Sequence, residues 1–350
     1  MAEQELVEVE KPEQKRRQLM QLSQDVSLSS IYHPITAHLA AVQANLLRVL
    51  RDAFSLIKGI GFEKTVVEGK QIRPALSFLA GLSLDETQGA ELLGVATASE
   101  MAHFASLVHD DVVDGAKTRR GTQSVNARWH DKVAVLLGDY IISQALYMLS
   151  DYRNAEVMRT MMQAVKDMAE GELRQITASR EGIISEDDYF NVIQHKTSSL
   201  MGAVCKMPIQ VLDGPPELSE AMYIFGFNFG MAFQIVDDLL DFVADERRLG
   251  KPILGDICEG KATLPTICML QRLGEKDTSR IKRILEERQL RDGDKAWLLG
   301  TVRGCGATDY CQEVARDFTT RAKLALDVFP DSDYKKSMFE LCDYILERER

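Results

Sequence analysis

The stretch Val108-His109-Asp110-Asp111-Val112-Val113-Asp114 carries the strongest signal in the chain. Its apolar residues surround three carboxylates, and in a helix Asp110 and Asp114 lie one turn apart on a single face. Two carboxylates at this spacing suit Mg²⁺, a hard cation that keeps some of its water ligands and also accepts phosphate oxygens. The stretch therefore predicts an apolar helix with a divalent-metal site on one face.

A second copy of this pattern, Asp237-Asp238-Leu239-Leu240-Asp241, lies far downstream of the first. If the two clusters met, each pair of facing carboxylates about 5 Å apart would cost roughly 3 kcal/mol at an effective dielectric constant of about 20. A fold that brings them together needs cations between them, and Mg²⁺ ions carrying a diphosphate would meet that need. One cluster alone would equally suit a solvated acidic helix face, whereas two copies in apolar surroundings favour a shared metal site.

With both clusters in view, the sequence resembles the all-trans polyprenyl diphosphate synthases of the isoprenyl diphosphate synthase family, long-chain type, from about Ile31 to the C-terminus. The resemblance implies a single large all-α bundle of the isoprenoid synthase type around a central active-site cavity. It also implies a homodimer in which Asp110, Asp114 and Asp237 hold Mg²⁺. The implied reaction condenses isopentenyl diphosphate with an allylic prenyl diphosphate, and the product would be a long all-trans chain used for quinone side chains.

Apolar periodicity supports an all-α fold independently of the resemblance. Leu39, Val42 and Leu46 recur at helical spacing in the first periodic segment, and strand-like alternation is almost absent from the rest of the chain. We predict one helical domain over residues 28–350, with roughly a dozen helices. Residues 1–27 are rich in Glu, Gln, Lys and Arg, and we expect them to form a flexible arm without catalytic function.

Basic residues near Pro74 form a candidate anion site. Pro74 suits the first turn of a helix, so Lys70 and Arg73 lie where free backbone N–H groups favour an anion. Alone, this pattern more often means a solvated basic turn, but the resemblance implies that both residues bind isopentenyl diphosphate. It implies the same role for His103, which lies two helical turns before Asp110 on the same face. A lone histidine in an apolar helix is more often a core residue.

The remaining site residues follow from the resemblance. Arg119 is expected to bind the allylic diphosphate and Arg120 the isopentenyl diphosphate, because adjacent arginines in a loop can reach in opposite directions. Lys251 and Lys261 belong to a glycine-punctuated loop that would cover the phosphates. The implied catalytic residues are Asp111, Lys196, Thr197, Gln234, Asp238 and Asp241.

Two further segments are interpreted as structural. Glu170-Gly171-Glu172 lies in an apolar helix near the expected channel and is assigned to packing or to support of the site. Residues 274–350 read as charged amphipathic helices that form scaffold, and no chemistry is assigned to them.

Composition limits the partners and the location. The net charge of −11 argues against nucleic acid or an anionic membrane as a partner. The longest apolar run, residues 133–149, is interrupted by Asp139, so we expect no membrane span. Six cysteines without a Cys-x-x-Cys pair indicate reduced thiols, and the N-terminus lacks the apolar core of a signal peptide. We therefore predict a cytoplasmic protein without stable membrane insertion.

Side-chain size suggests the length of the product. In related enzymes the residues four and five positions before the first aspartate form the first floor of the product channel. Here these residues are Ser106 and Ala105, which are small where short-chain synthases carry a bulky aromatic. We therefore predict a long product, with the true floor deeper, on the helix that contains Tyr147 and Met148. A short-chain farnesyl or geranylgeranyl diphosphate synthase remains the alternative.

Two other protein classes compete with this interpretation. A class I terpene cyclase would share the helical fold, but it would not need a second aspartate cluster or the pocket of Lys70 and Arg73. A non-catalytic subunit of a heteromeric synthase would typically lose one aspartate cluster or the basic pocket, whereas this chain retains both. Both comparisons favour a catalytic prenyltransferase.

Overall fold

A computed structural model of the chain describes residues 27–56, 69–119, 122–181, 185–244 and 253–348. The predicted N-terminal arm lies outside these residues, except for Ser27. The helices and strands are α1 Leu28–Ile31, α2 Thr36–Ser55, α3 Ile72–Leu82, α4 Gly89–Val113, β1 Thr118–Arg119, β2 Thr122–Gln123, α5 Val125–Trp129, α6 Asp131–Leu149, α7 Ala155–Glu181, α8 Glu186–Ile193, α9 Ser199–Val211, α10 Pro216–Val243, α11 Gly255–Cys258, α12 Leu264–Arg272, α13 Glu275–Glu287, α14 Asp294–Gly304, α15 Ala307–Ala325 and α16 Asp333–Glu347.

The described residues form an all-α bundle, as the sequence predicts. Their only strands are β1 and β2, which pair as a two-residue antiparallel hairpin. In the most extensive helix contacts, α4 packs on α6 and α10 packs between α9 and α15. Helix α3 lies at the centre, where every one of its residues except Arg73 is buried.

Local sequence explains where several helices begin and which face they bury. Helix α2 buries residues at spacings of three and four, including Leu39, Val42 and Leu46, which confirms the predicted helical face. Helix α8 begins at a capping box, in which the Ser185 hydroxyl accepts from the backbone N–H of Asp188 and the Asp188 carboxylate accepts from Ser185. Such caps satisfy backbone donors that a helix start leaves unpaired.

A π-helical segment, Gln194–Ser198, joins α8 to α9. π-Helical turns are rare, and they often occur at functional sites because the wider turn changes the direction of its side chains. Gly171 of α7 approaches this segment closely. A Cβ atom at Gly171 would lie 2.7 Å from the backbone nitrogen of Lys196. The missing side chain therefore allows α7 to pack directly against the backbone that carries Lys196.

Helix α6 meets the length and composition of a membrane span, which buried core helices can also do, so this feature alone does not overturn the expectation of no span. Asp131–Leu149 is long and apolar enough to cross a membrane by length and composition alone, with a mean hydropathy of 1.3, because its charged residues, Asp131, Lys132 and Asp139, are outweighed by their apolar neighbours. In the fold one face of α6 packs against α4, through residues such as Leu137 and Ile141. Only a third of its apolar window is buried, which leaves a broad apolar surface.

Candidate active site

A central cavity of about 520 Å³ collects half of the sixteen residues that the sequence singles out. It lies between α3, α4, α7, the π-helical segment and α10. The predicted residues that line it are Lys70, Arg73, His103, Asp110, Lys196, Thr197, Gln234 and Asp237. These predicted basic and acidic residues therefore meet in one cavity, although the first and last of them, Lys70 and Asp237, are 167 residues apart in the sequence.

The first aspartate cluster lies at the C-terminal end of α4. Burial raises the pKa of Asp110, and the neighbouring carboxylates of Glu172 and Asp114 add to the rise, although Lys196 opposes it. Asp114 is the C-cap residue that directly follows α4, and its carboxylate accepts two hydrogen bonds from Lys261, at 3.1 and 3.2 Å. Both carboxylates thus have a cationic neighbour, which indicates a site that requires positive charge.

Asp111 points away from the cavity and has a protein partner instead. Its side chain is buried and accepts a hydrogen bond of 2.8 Å from Nε of Arg119, with a second contact of 2.7 Å from the same guanidinium. The backbone carbonyl of Asp111 also accepts from the Asn126 side chain. Asp111 therefore fixes Arg119 and the loop that follows α4. The predicted role of Arg119 at the allylic diphosphate stays a prediction.

On the opposite wall, Asp237 is the member of the second cluster that faces the cavity. Its carboxylate forms an ion pair of 3.0 Å with Arg348, whose side chain is largely buried and also lines the cavity. The prediction that residues 274–350 form scaffold without site chemistry is therefore wrong at Arg348. Arg348 lies two residues from the C-terminus and far from any motif, so the sequence around it gives no signal for this contact.

Asp238 and Asp241 are buried behind Asp237. The Asp238 carboxylate accepts from the Tyr189 hydroxyl at 2.7 Å and from the Gln234 amide at 2.8 Å. Burial raises the pKa of Asp238, with a further rise caused by the nearby charge of Asp256. Asp241 accepts from the backbone N–H of Asp256 at 3.0 Å. Neither carboxylate lines the central cavity, so their predicted catalytic role would have to act through their neighbours.

The predicted polar wall beside the second cluster is continuous. The Thr197 hydroxyl donates to the Gln234 carbonyl oxygen at 2.8 Å, and Gln234 in turn donates to Asp238. A smaller pocket of about 160 Å³ opens behind this wall and shares Lys196, Thr197 and Gln234 with the central cavity. Lys261 lines this second pocket. Burial opposes the charged form of Lys261, but the carboxylates of Glu259 and Asp114 outweigh it and raise the pKa.

At the basic end of the cavity, the chain just before α3 holds Lys70 and Arg73. Gln71 adopts the left-handed conformation, with φ of 50°, and its side-chain amide donates to Gln43 at 3.0 Å. The Tyr32 hydroxyl donates to the backbone carbonyl of Lys70 at 3.0 Å, which fixes the turn. Burial lowers the pKa of Lys70, and the charge of Arg348 lowers it further. These repelling cations would be stabilised by a bound anion.

The cavity also contains two carboxylates that the sequence interpretation did not assign to it. Glu172 of α7 contacts Lys196 at 2.5 Å between carboxylate and ammonium, so the interpretation of Glu170-Gly171-Glu172 as packing or support is incomplete. Glu100 of α4 lines the cavity beside His103. The sequence offered one usable signal for Glu100, because it precedes His103 by three residues and so shares its helix face.

Arg120 and Lys251 lie outside the described residues. Tyr147 is 70% exposed on α6, so its side chain is not part of the central cavity, and the deeper floor on this helix stays a prediction. The sequence predicts that α6 is a helix, but it does not show which face of α6 is directed at the channel. Of the two small floor residues, Ser106 lines the cavity, whereas Ala105 is buried in the surrounding core.

The donor set fits a divalent metal that is shared with a ligand. Within the described residues, no three side chains of His, Cys, Asp or Glu meet closely enough to hold a metal ion by themselves. Asp110 and Asp114 lie on one wall and Asp237 on the other, and each pairs with a basic side chain. A cation that takes one or two carboxylates, and completes its shell with water and phosphate oxygens, suits this arrangement.

Comparisons with known proteins agree with this architecture. The family model described as Polyprenyl synthetase matches residues 58–302. The all-trans-nonaprenyl-diphosphate synthase (geranyl-diphosphate specific) of Rhodobacter capsulatus is 34% identical over 321 residues, which cover 91% of this chain and 97% of that protein. The octaprenyl diphosphate synthase of Escherichia coli is 31% identical over 329 residues, which cover 93% of this chain and 100% of that protein.

Solved structures give the same result. A polyprenyl synthase from Caulobacter crescentus, complexed with calcium and isoprenyl diphosphate, superposes with a TM-score of 0.83 and 28% identity, covering 93% of this chain and 98% of that one. The all-α bundle with a central cavity is the isoprenoid synthase fold, and the chain is an enzyme of the prenyltransferase class. It belongs to the polyprenyl synthetase family.

Proposed function

We propose that the protein condenses isopentenyl diphosphate with an allylic diphosphate, in a Mg²⁺-dependent reaction, to build a long all-trans polyprenyl diphosphate. The observation that carries this proposal is the single cavity in which two acidic walls adjoin a basic recess. An acidic pair of walls suits a metal-bound diphosphate, and the recess of Lys70 and Arg73 suits a second diphosphate. The names of the relatives, including nonaprenyl and octaprenyl diphosphate synthases, support a long product.

The reaction breaks the C–O bond of the allylic diphosphate, and the electron pair leaves with pyrophosphate. Bound Mg²⁺ would supply positive charge to that leaving group. Lys196 lies in the cavity between the two acidic walls, where its ammonium stabilises the same negative charge. The π electrons of isopentenyl diphosphate then form the new C–C bond, and a proton is lost from the adjacent carbon. The departing pyrophosphate accepts this proton.

The basic recess positions the second substrate. Lys70, Arg73 and His103 line one end of the cavity, and Arg348 reaches the same space from the C-terminus. Cationic side chains there would hold the diphosphate of isopentenyl diphosphate with its double bond directed at the allylic carbon. Exclusion of water matters because water would quench the allylic cation.

Purified protein incubated with Mg²⁺, farnesyl diphosphate and labelled isopentenyl diphosphate tests the proposal directly. We expect a series of elongated products that ends in one long polyprenyl diphosphate, and no product when EDTA removes the metal. A product that ends after a single addition to farnesyl diphosphate would contradict the long-chain assignment while leaving the chemistry intact. A complete lack of turnover would favour a non-catalytic subunit.

The position of Ser106 gives a sharper test of product length. Because Ser106 lines the cavity one turn before Asp110, Ser106→Phe should narrow the channel and shorten the main product. Ser279→Phe, on an exposed face of α13, is a matched control that should leave product length unchanged. Chromatography of the dephosphorylated products gives the chain lengths. Equal product lengths in Ser106→Phe and wild type would show that the tail leaves the cavity by another route.

We also propose a homodimer with α6 in its interface, and a cytoplasmic location. Leu136 and Tyr147 are 68% and 70% exposed on α6, and Val135 lies on the same helix at 40%. An apolar surface of this kind is typical of a protein interface. All six cysteines are free, which suits a reducing compartment. Light scattering should give twice the chain mass, and Leu136→Glu should shift it toward the monomer.

A further inference from the structure

The ammonium group of Lys196 is surrounded by polar side chains, most of which come from α7. Its ammonium contacts the Glu172 carboxylate at 2.5 Å and donates to the side-chain oxygen of Gln175 at 3.0 Å. The carboxylate of Asp110 is farther away, at 3.8 Å. Lys196 therefore has two carboxylates within reach, and the one from α7 is clearly the closer partner.

The backbone of Lys196 is held as tightly as its side chain. Lys196 belongs to the π-helical segment, and the absence of a side chain at Gly171 lets α7 approach within van der Waals contact of this backbone. A Cβ atom at Gly171 would lie 2.7 Å from the nitrogen and 3.1 Å from the Cα atom of Lys196. Adjacent residues of one helix thus fix the backbone and the ammonium of the same lysine.

We propose that Glu172 is a positioning residue that holds the ammonium of Lys196 off Asp110, and so keeps Asp110 available for the metal. The proposal rests on the proposed function, in which Asp110 binds the metal and Lys196 faces the allylic diphosphate. Glu172 places a carboxylate in a cavity whose proposed substrates are diphosphates. Repulsion between these negative charges would be unfavourable unless a cation lies next to the carboxylate. Lys196 is the cation that it contacts.

A direct ion pair between Lys196 and Asp110 is the arrangement that Glu172 prevents. Without Glu172, the nearest carboxylate to Lys196 would be Asp110, and a short movement of the flexible lysine would close the 3.8 Å gap. The resulting ion pair would compete with the metal for Asp110. A hydrogen bond between charged groups contributes enough to make this competition measurable, equivalent to a change of roughly 10- to 100-fold in an equilibrium constant.

Metal-dependent binding of inorganic pyrophosphate provides a readout that needs no turnover. In calorimetric titrations with Mg²⁺ present, Glu172→Gln should weaken pyrophosphate binding by roughly 10- to 100-fold. The side chain of Gln has the size of Glu, so the variant should fold. Glu170→Gln is the matched control, because Glu170 pairs with Lys166 on the outer face of α7 at 3.2 Å and should bind pyrophosphate like the wild type.

A double-mutant cycle separates positioning from simple loss of structure. If Glu172 acts through Lys196, then Glu172→Gln should have no further effect on pyrophosphate binding in a Lys196→Ala background. The KM for isopentenyl diphosphate should change little in Glu172→Gln, while the KM for the allylic diphosphate rises. Gly171→Ala should weaken pyrophosphate binding in the same direction, because its Cβ displaces the Lys196 backbone.

Each outcome has a defined meaning. Unchanged pyrophosphate binding in Glu172→Gln, or an equal loss in the Lys196→Ala background, would overturn the positioning role. The proposed function would be overturned if the wild-type protein bound pyrophosphate but made no polyprenyl product. The role of Glu172 would still hold in that case, provided that the double-mutant cycle gave the expected result. The two failures are therefore distinguishable.

Discussion

The two aspartate clusters have nearly the same sequence but different surroundings. In each cluster the first aspartate, Asp110 or Asp237, faces the central cavity. The second, Asp111 or Asp238, is buried and hydrogen-bonded to protein. A matching pattern of residues therefore divides into a cavity-facing position and a structural position in the same way on both walls.

The third aspartates break this symmetry. Asp114 caps the C-terminal end of α4, remains partly exposed and pairs with Lys261, which also lines the second pocket. Asp241 is followed by two more helical residues, is almost fully buried and anchors the backbone at Asp256. The physical reason is where each helix ends, because a residue at a helix terminus can face solvent whereas one inside a packed helix cannot. The first cluster thus offers two carboxylates to a metal and the second offers one.

The largest expected effect comes from removing a cavity-facing carboxylate. Asp110→Ala and Asp237→Ala should each lower kcat by at least about 100-fold, because each removes charge that would hold the metal at the leaving group. The free energy of unfolding should change by less than about 1 kcal/mol in Asp237→Ala, since the Asp237 side chain is 43% exposed and solvent screens its ion pair with the largely buried Arg348. Steady-state kinetics and urea denaturation measure the two quantities. Full activity in either variant would contradict the metal assignment.

Replacing the buried neighbour of Asp237, Asp238, should lower the stability of the protein much more than replacing Asp237 does. Asp238→Ala leaves the Tyr189 hydroxyl and the Gln234 amide without their acceptor, at a cost of about 3 kcal/mol for two buried donors. Urea denaturation should show this loss of stability, against little loss in Asp237→Ala. If Asp238→Ala were as stable as the wild type, the assignment of the second aspartate to structure would be wrong.

How far the sequence predicts this site depends on the range of each contact. Asp110, Asp114 and His103 could be placed together because they share one helix face, and the all-α fold followed from apolar spacing. Arg348 and Glu172 could not, because their contacts join elements far apart in sequence and depend on how those helices pack.

Arg348 offers a smaller test of the asymmetry between the walls. In the absence of metal, Arg348 pairs with Asp237 and would compete with Mg²⁺ for this carboxylate. In Arg348→Gln, the Mg²⁺ concentration that gives half of the rise in Tm should therefore be lower by roughly two- to fivefold, which corresponds to the free energy of a partly exposed ion pair. Arg321→Gln is the control, since Arg321 pairs with Asp317 on the surface of α15 at 2.6 Å. Identical Mg²⁺ titrations for all three proteins would show that Arg348 does not compete with metal.

The smallest effect is a pH dependence that separates Asp110 from a buried carboxylate outside both clusters. Burial raises the pKa of Asp110 above its unfolded value, so its unfavourable contribution is small at pH 4, grows as pH rises from the unfolded toward the folded pKa, and is complete above the folded pKa. In EDTA, Asp110→Asn should therefore stabilise the protein more at pH 7 than at pH 4. Urea denaturation at both pH values gives the difference.

Asp294 supplies the control of opposite sign. Burial would raise its pKa, but hydrogen bonds from Arg283, Arg291 and Arg280 outweigh this and lower the pKa to about 2. Its stabilising contribution is present above the unfolded pKa and is lost as pH falls from about 4 toward 2. Asp294→Asn should therefore destabilise the protein at pH 7, whereas Asp110→Asn stabilises it. Equal signs in the two variants would mean that Asp110 is not held at an electrostatic cost in the metal-free protein.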